Sequence, residues 1–81
     1  MVIHVSFYSW FQDLAGCSGT THELPPQSTV EDLLSGLTAR FPRLAAADKS
    51  VLVAVGLDYQ DRSYQLTEDD HVSLFPPVQG G

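Results

Sequence analysis

The sequence predicts an α+β domain in which one helix lies across a single mixed sheet, and three observations carry that reading. Period-two alternation marks strands near both ends of the chain. One apolar stripe at helical spacing lies between them, and a short, wholly apolar run follows it. At 81 residues the chain has the length of one domain. Its 43% hydrophobic and 17% charged residues suit a packed globule and exclude a disordered segment.

From Val2 to Trp10 the chain is rich in β-branched and aromatic residues, with Ile3, Val5 and Phe7 alternating against His4, Ser6 and Tyr8. That is the pattern of a half-buried strand. A helical turn around Phe11 to Leu14 and the turn residues Gly16 to Gly19 lead to a second strand, Thr20 to Leu24, stopped by Pro25-Pro26. Ser28 and Glu31 have capping-box spacing, and Thr29 and Asp32 offer the same one residue later. Val30, Leu33, Leu34, Leu37 and Phe41 then fall on one helical face, and Pro42 prevents continuation. Ala45 to Ser50 reads as a linker and Val51 to Val55 as a strand in mid-sheet. Gly56 to Ser63 has turn character, Tyr64 to Leu66 forms a brief extended piece, and His71 to Phe75 is the last strand. The helix covers one face of four to five strands, the first and last side by side and parallel. That is the β-grasp arrangement, with a domain over residues 1–75 and an extended tail over 76–81.

The tail is the most informative segment. Pro76-Pro77-Val78-Gln79-Gly80-Gly81 follows the last strand directly. The diproline cannot donate to a sheet ladder and holds an extended path. Six extended residues reach about 20 Å at about 3.3 Å each. Gly80 and Gly81 have no Cβ, so the tip can thread a narrow channel and offer its carboxylate on both faces. The combination reads as a presented terminus, where a frayed end would need no stiff collar.

Other chemistries find little support. Ten acidic against four basic residues give a net charge of -6, which excludes nucleic acid as a natural partner and favours a basic protein surface. His4, His22 and His71 lie on three strands without local ligand spacing, so no metal site is expected; His4 and His22 would face one another across the hairpin. Gly16-Cys17-Ser18-Gly19 lacks the lysine of a phosphate-binding loop. Cys17 is the single cysteine, so no internal disulfide is expected, and it has no basic neighbour in sequence to activate it. No apolar run is long enough for a bilayer and no signal peptide is apparent, so a cytoplasmic protein that does not engage membranes is expected.

With element order and tail together, the chain resembles the small, sulfur-carrying subunits of molybdopterin synthase, a ubiquitin-like family. The matching residues are Phe7, Leu14-Ala15-Gly16, Thr29 to Leu34, Val53-Ala54-Val55, Asp58-Tyr59 and Leu66 to Val72. Phe75-Pro76-Pro77-Val78-Gln79-Gly80-Gly81 is the most specific piece. Gln12 stands where a basic residue is common, and Gly56 where asparagine is common. The resemblance implies a reactant rather than a catalyst. A ubiquitin-activating-type adenylyltransferase would use ATP to adenylate Gly81, and a persulfide donor would convert it to a thiocarboxylate. Pro76, Pro77, Val78, Gly80 and Gly81 would then thread the active site of the large catalytic subunit, in an assembly of two small and two large subunits. There sulfur would pass to cyclic pyranopterin monophosphate. Phe75 and Phe7 are the expected partner-binding residues, with a core role as the alternative for Phe75. A ubiquitin-like modifier joined to target lysines through Gly81, or a sulfur carrier of another pathway, is the competing reading.

A non-catalytic carrier has a direct signature. Incubated alone with ATP and magnesium, the chain should release no pyrophosphate and gain no adenylate by mass; adding the activating enzyme should produce both. Pyrophosphate release by the chain alone would contradict the reading.

Overall fold

A computed structural model describes residues 1–77 of the chain. The elements run β1 (Val2–Phe7), α1 (Phe11–Ala15), β2 (Gly19–Glu23), α2 (Val30–Arg40), a 3-10 helix (Pro42–Ser50), β3 (Leu52–Val55), β4 (Asp58–Tyr59) and β5 (His71–Phe75). The strands form one sheet in the order β2-β1-β5-β3-β4. Its centre is the expected parallel pair, β1 with β5, in which Val5 faces Val72 and Phe7 faces Leu74. β2 is antiparallel to β1, and β3 is antiparallel to both β5 and β4.

Alternation decides which side chains go inside. Ile3, Val5 and Phe7 of β1 and Val72 and Leu74 of β5 are all buried under α2, which contributes Val30, Leu33, Leu34 and Leu37. Phe11, Leu44, Ala47 and Leu66 close the edges of this core. At about 25 cal/mol per Å² of apolar surface, each such leucine or phenylalanine contributes roughly 1.5–3 kcal/mol. His4, Ser6, His71 and Ser73 point the other way, onto a face that no element of the described residues covers.

Of the two capping options for α2, the chain uses the later. The Thr29 hydroxyl accepts from the Asp32 amide at 3.3 Å, and the Asp32 carboxylate accepts from the Thr29 amide at 2.9 Å. The earlier candidate, Ser28, is buried and donates its hydroxyl to the Pro25 carbonyl. Two segments differ from expectation. Residues 45–50 are part of the 3-10 helix, which Pro42 begins because its ring presets φ and its missing N–H costs nothing at a helix start. Asp58 and Tyr59, read as turn, form a two-residue edge strand after a reversal at Gly56, whose φ of +62° suits glycine or asparagine. Tyr64 to Leu66 contributes an isolated bridge, Thr29 with Gln65.

The histidines also differ from expectation. His22 pairs with Ile3, and His4 with Thr21, so the pleat puts His22 and His4 on opposite faces of the sheet. His22 lies against α2, where Arg40 sits 3.0 Å from its Nδ1 and donates to the Thr21 carbonyl and the Thr20 hydroxyl. An arginine has no lone pair to offer, so Nδ1 is the acceptor and the ring is neutral. Burial, and then the Arg40 charge, hold the His22 pKa below its ordinary 6.5. The ring fits because residue 36 is glycine: a Cβ there would stand 2.3 Å from His22 Nε2.

A lowered folded-state pKa means that the unfolded chain binds the proton more readily. Stability from this contact is therefore full above pH 6.5 and falls as pH drops through that value toward the lower folded one. Gly36→Ala should fail to deliver the roughly 1 kcal/mol that alanine normally gains in a helix. It should lower the melting temperature at pH 7.5, and an NMR titration should find the His22 pKa risen toward its ordinary value. A stabilised variant with unchanged titration would disprove the contact.

Candidate functional site at the root of the C-terminal tail

Because β1 and β5 are parallel, their C-terminal ends lie together, and β3 begins at the same end with Leu52 opposite Phe75. Phe75 is half-buried and belongs to the open face. Tyr8, the first residue past β1, stacks on it with centroids 4.7 Å apart and planes 12° from parallel. Tyr59 of β4 meets the same ring edge-on at 6.4 Å. Tyr8 and Tyr59 are 43% and 68% exposed, too much for core residues of their size. The three rings and Leu52 make an apolar patch on an acidic protein, at the point where Pro76 and Pro77 leave the sheet. Val78, Gly80 and Gly81, the remaining expected threading residues, lie outside the described residues.

Phe7 requires a correction. It was expected to meet a partner, but it is 1% exposed and packs edge-to-face on Phe41 at 5.7 Å. The cause is the pleat: Phe7 shares the phase of Ile3 and Val5, so the outward position belongs to Tyr8. Tyr59 was hidden from sequence reasoning because a two-residue strand gives no periodic signal. A lone tyrosine two residues past a reversal was the available hint.

Further along the open face, two polar pairs tie β1 to the β5 side. His4 Nε2 lies 3.2 Å from Asp69 Oδ1, and the Ser6 hydroxyl lies 2.9 Å from His71 Nε2. The two imidazoles are stacked at 6.3 Å. Hydroxyl and carboxylate thus belong to different histidines, and the four groups do not line up as a nucleophilic relay. Among the described residues no group of three or more histidine, cysteine or acidic side chains could hold a metal ion, and no helix is long and apolar enough to cross a membrane. Cys17 is half-buried beside an open polar cleft that it shares with Gln12, Asp13, Ser18 and, from the 3-10 helix, Arg43. The cleft thus brings Cys17 near a basic residue that its sequence neighbours do not supply.

A β-grasp sheet with an aromatic patch at the root of a Pro-Pro-Val-Gln-Gly-Gly tail invites comparison with known proteins. The model of the ThiS family matches residues 5–81. The chain belongs to the ThiS family. Within it, the chain is 34% identical over 84 residues to the molybdopterin synthase sulfur carrier subunit of Escherichia coli, covering 99% of this chain and 100% of that one. A solved structure, the putative molybdopterin converting factor subunit 1 of Pyrococcus furiosus, superposes with a TM-score of 0.88 at 28% identity, over 96% of this chain and 99% of that one. The complex of subunits 1 and 2 of the Helicobacter pylori molybdopterin-converting factor contains the same fold, at TM-score 0.72 and 20% identity, over 100% of both chains. The ubiquitin-like β-grasp expectation and the resemblance to the sulfur carrier subunits are both borne out.

Burial separates the two phenylalanines experimentally. Phe7→Ala should cost about 3–5 kcal/mol, enough to unfold much of so small a domain. Phe75→Ala should cost roughly 1 kcal/mol. Equal losses in thermal or denaturant unfolding would contradict the assignment of Phe75 to the open face.

Proposed function

We propose that the chain is the sulfur carrier subunit of a molybdopterin synthase, with Gly81 as the atom-carrying terminus. The observation that carries this reading is the Tyr8–Phe75–Tyr59 patch at the root of a diproline-stiffened Gly-Gly tail, in a chain of the ThiS family. An exposed aromatic cluster supplies the buried anchors that dominate binding energy at protein interfaces. The patch grips the partner's surface while the tail runs on into the partner's active site. The large synthase subunit is the partner proposed, in an assembly of two small and two large subunits. The structurally similar Helicobacter protein, solved as a complex of subunits 1 and 2, supports a pairing of this kind.

The chemistry follows from the terminus. A carboxylate is a poor acyl donor because oxide is a poor leaving group. ATP, bound by an activating enzyme of the ubiquitin-activating type, converts Gly81 to an acyl-adenylate with AMP as a good leaving group. Sulfur from a persulfide donor displaces AMP and leaves a thiocarboxylate. Thioacids are stronger acids than thiols, so the sulfur is anionic at neutral pH, whereas a cysteine thiol with a pKa of about 8.5 stays mostly protonated. In the large subunit the sulfur passes to cyclic pyranopterin monophosphate. A dithiolene needs two sulfurs, so two loaded carriers are consumed per product. The chain itself supplies the docking patch, the reach and the acyl carbon, while nucleotide and pterin sites belong to its partners.

Removing Gly81 tests this directly. The des-Gly81 chain should melt within a degree or so of wild type and still bind the large subunit, yet gain neither AMP nor sulfur by mass spectrometry. Phe75→Ala should show the converse, with AMP and sulfur still gained by mass spectrometry but a large-subunit affinity weakened by about 2 kcal/mol. Sulfur transfer by the folded des-Gly81 chain would sink the mechanism.

A further inference from the structure

Tryptophan is on average among the more buried residue types, yet Trp10, the single tryptophan of the chain, is 45% exposed. It stands in a tight turn through which the chain leaves β1, at the end of the sheet where β5 also ends. The Tyr8 amide donates to the Leu74 carbonyl, the Phe11 amide to the Tyr8 carbonyl and the Gln12 amide to the Ser9 carbonyl. Ser9 holds φ at +56°, in the left-handed region that a residue with a Cβ disfavours. Such strain persists only where surrounding contacts impose it, and it gathers at functional sites.

The reversal at Ser9 sends three aromatic side chains three ways. Tyr8 stacks on Phe75 on the open face. Phe11 turns into the core between sheet and helices. Trp10 is left between them on the rim, its ring edge-to-face on Phe11 with centroids 4.7 Å apart. Covering Phe11 uses one side of the indole. The other side faces water, and the indole N–H finds no acceptor among the described residues. One turn along α1, Asp13 is exposed; Arg43 binds its main-chain carbonyl, and its carboxylate has no ion-pair partner among the described residues.

We propose that Trp10 is a second docking anchor for the large synthase subunit, seated in an apolar pocket of that partner with a basic rim facing Asp13. Continuity names the occupant. A partner that covers the Tyr8–Phe75–Tyr59 patch at the place where Pro76 and Pro77 leave the sheet meets Trp10 two residues past Tyr8. This rests on the docking proposed above and extends it around the end of the sheet, from the open face to the side that carries the helices. Trp is foremost among the residues that dominate binding energy at interfaces. A flat aromatic patch alone leaves the carrier free to turn about the contact, and a knob on the adjoining side removes that freedom.

The single tryptophan supplies its own probe. Grown with 5-fluorotryptophan, the chain has one fluorine resonance, from Trp10, and its shift should differ between light and heavy water because the ring is exposed. Adding the unlabelled large subunit should move the resonance and remove most of that difference. Trp10→Ala should weaken large-subunit affinity by about tenfold or more in titration calorimetry, with the melting temperature read alongside and Phe75→Ala as the reference for the patch. Wild type that does not bind, or Phe75→Ala that binds as tightly as wild type, would count against the docking reading and with it this one. A folded Trp10→Ala that binds like wild type while Phe75→Ala does not would overturn the Trp10 anchor alone. So would a complex in which the resonance keeps its position and its solvent dependence, or a resonance that answers to the activating enzyme and not to the large subunit. Should Trp10→Ala fail to fold, the fluorine measurement decides, since it needs no substitution.

Discussion

The parallel pairing of β1 with β5 is the interaction on which everything else depends. It joins His4 to His71 and Phe7 to Leu74, residues more than sixty positions apart, and puts both strands at the centre of the sheet. Each offers one apolar side to α2, so the core is a single layer between helix and sheet. Because the pair is parallel, Tyr8 and Phe75 arrive at the same end on the same face. An antiparallel pairing would have sent the tail and the end of β1 to opposite poles, and no aromatic patch would stand at the tail's root.

Much of this was legible in the sequence, for physical reasons that differ by element. β1, α2 and β5 have strong periodicity because each buries one face against a continuous core. The cap of α2 was visible as two overlapping options, and the buried Ser28 settled the choice only in three dimensions. The 3-10 helix was illegible because alanine-rich polar segments satisfy helix and linker equally well. β4 is held by its pairing with β3 rather than by any preference of Asp58 and Tyr59, which leaves no local signal. Alternation had already set Phe7 in phase with Ile3 and Val5, and the structure keeps it in the core; the partner-binding expectation for Phe7 ran against that phase, and the outward place belongs to Tyr8. The tail was the reverse case, a motif read from six letters of which the last four lie outside the described residues, while the patch at its root is assembled from β1, β3, β4 and β5 and their ends, which no local pattern announces.

The patch and the polar pairs divide the open face by function. Near the tail the face is aromatic and exposed, suited to exclude water against another protein. Nearer the start of β5, His4 with Asp69 and Ser6 with His71 join side chains across the strands, tying the terminal strand to the rest of the sheet. These contacts lie on the strand from which the tail departs and on the turn leading into it, so they anchor the root of the tail to the sheet.

The central place of β5 also governs how the molecule comes into being. Every other element precedes it on the chain, yet β1 and β3 both find a neighbour in it. Contacts between residues so far apart close slowly and late, and a ribosome-bound chain that has not yet exposed β5 has two sheet fragments with nothing to join them. Domain folding is thus postponed until the strand bearing the tail has been made. Products truncated ahead of it cannot build the Tyr8–Phe75 surface, so a chain that lacks the tail lacks the patch at its root as well.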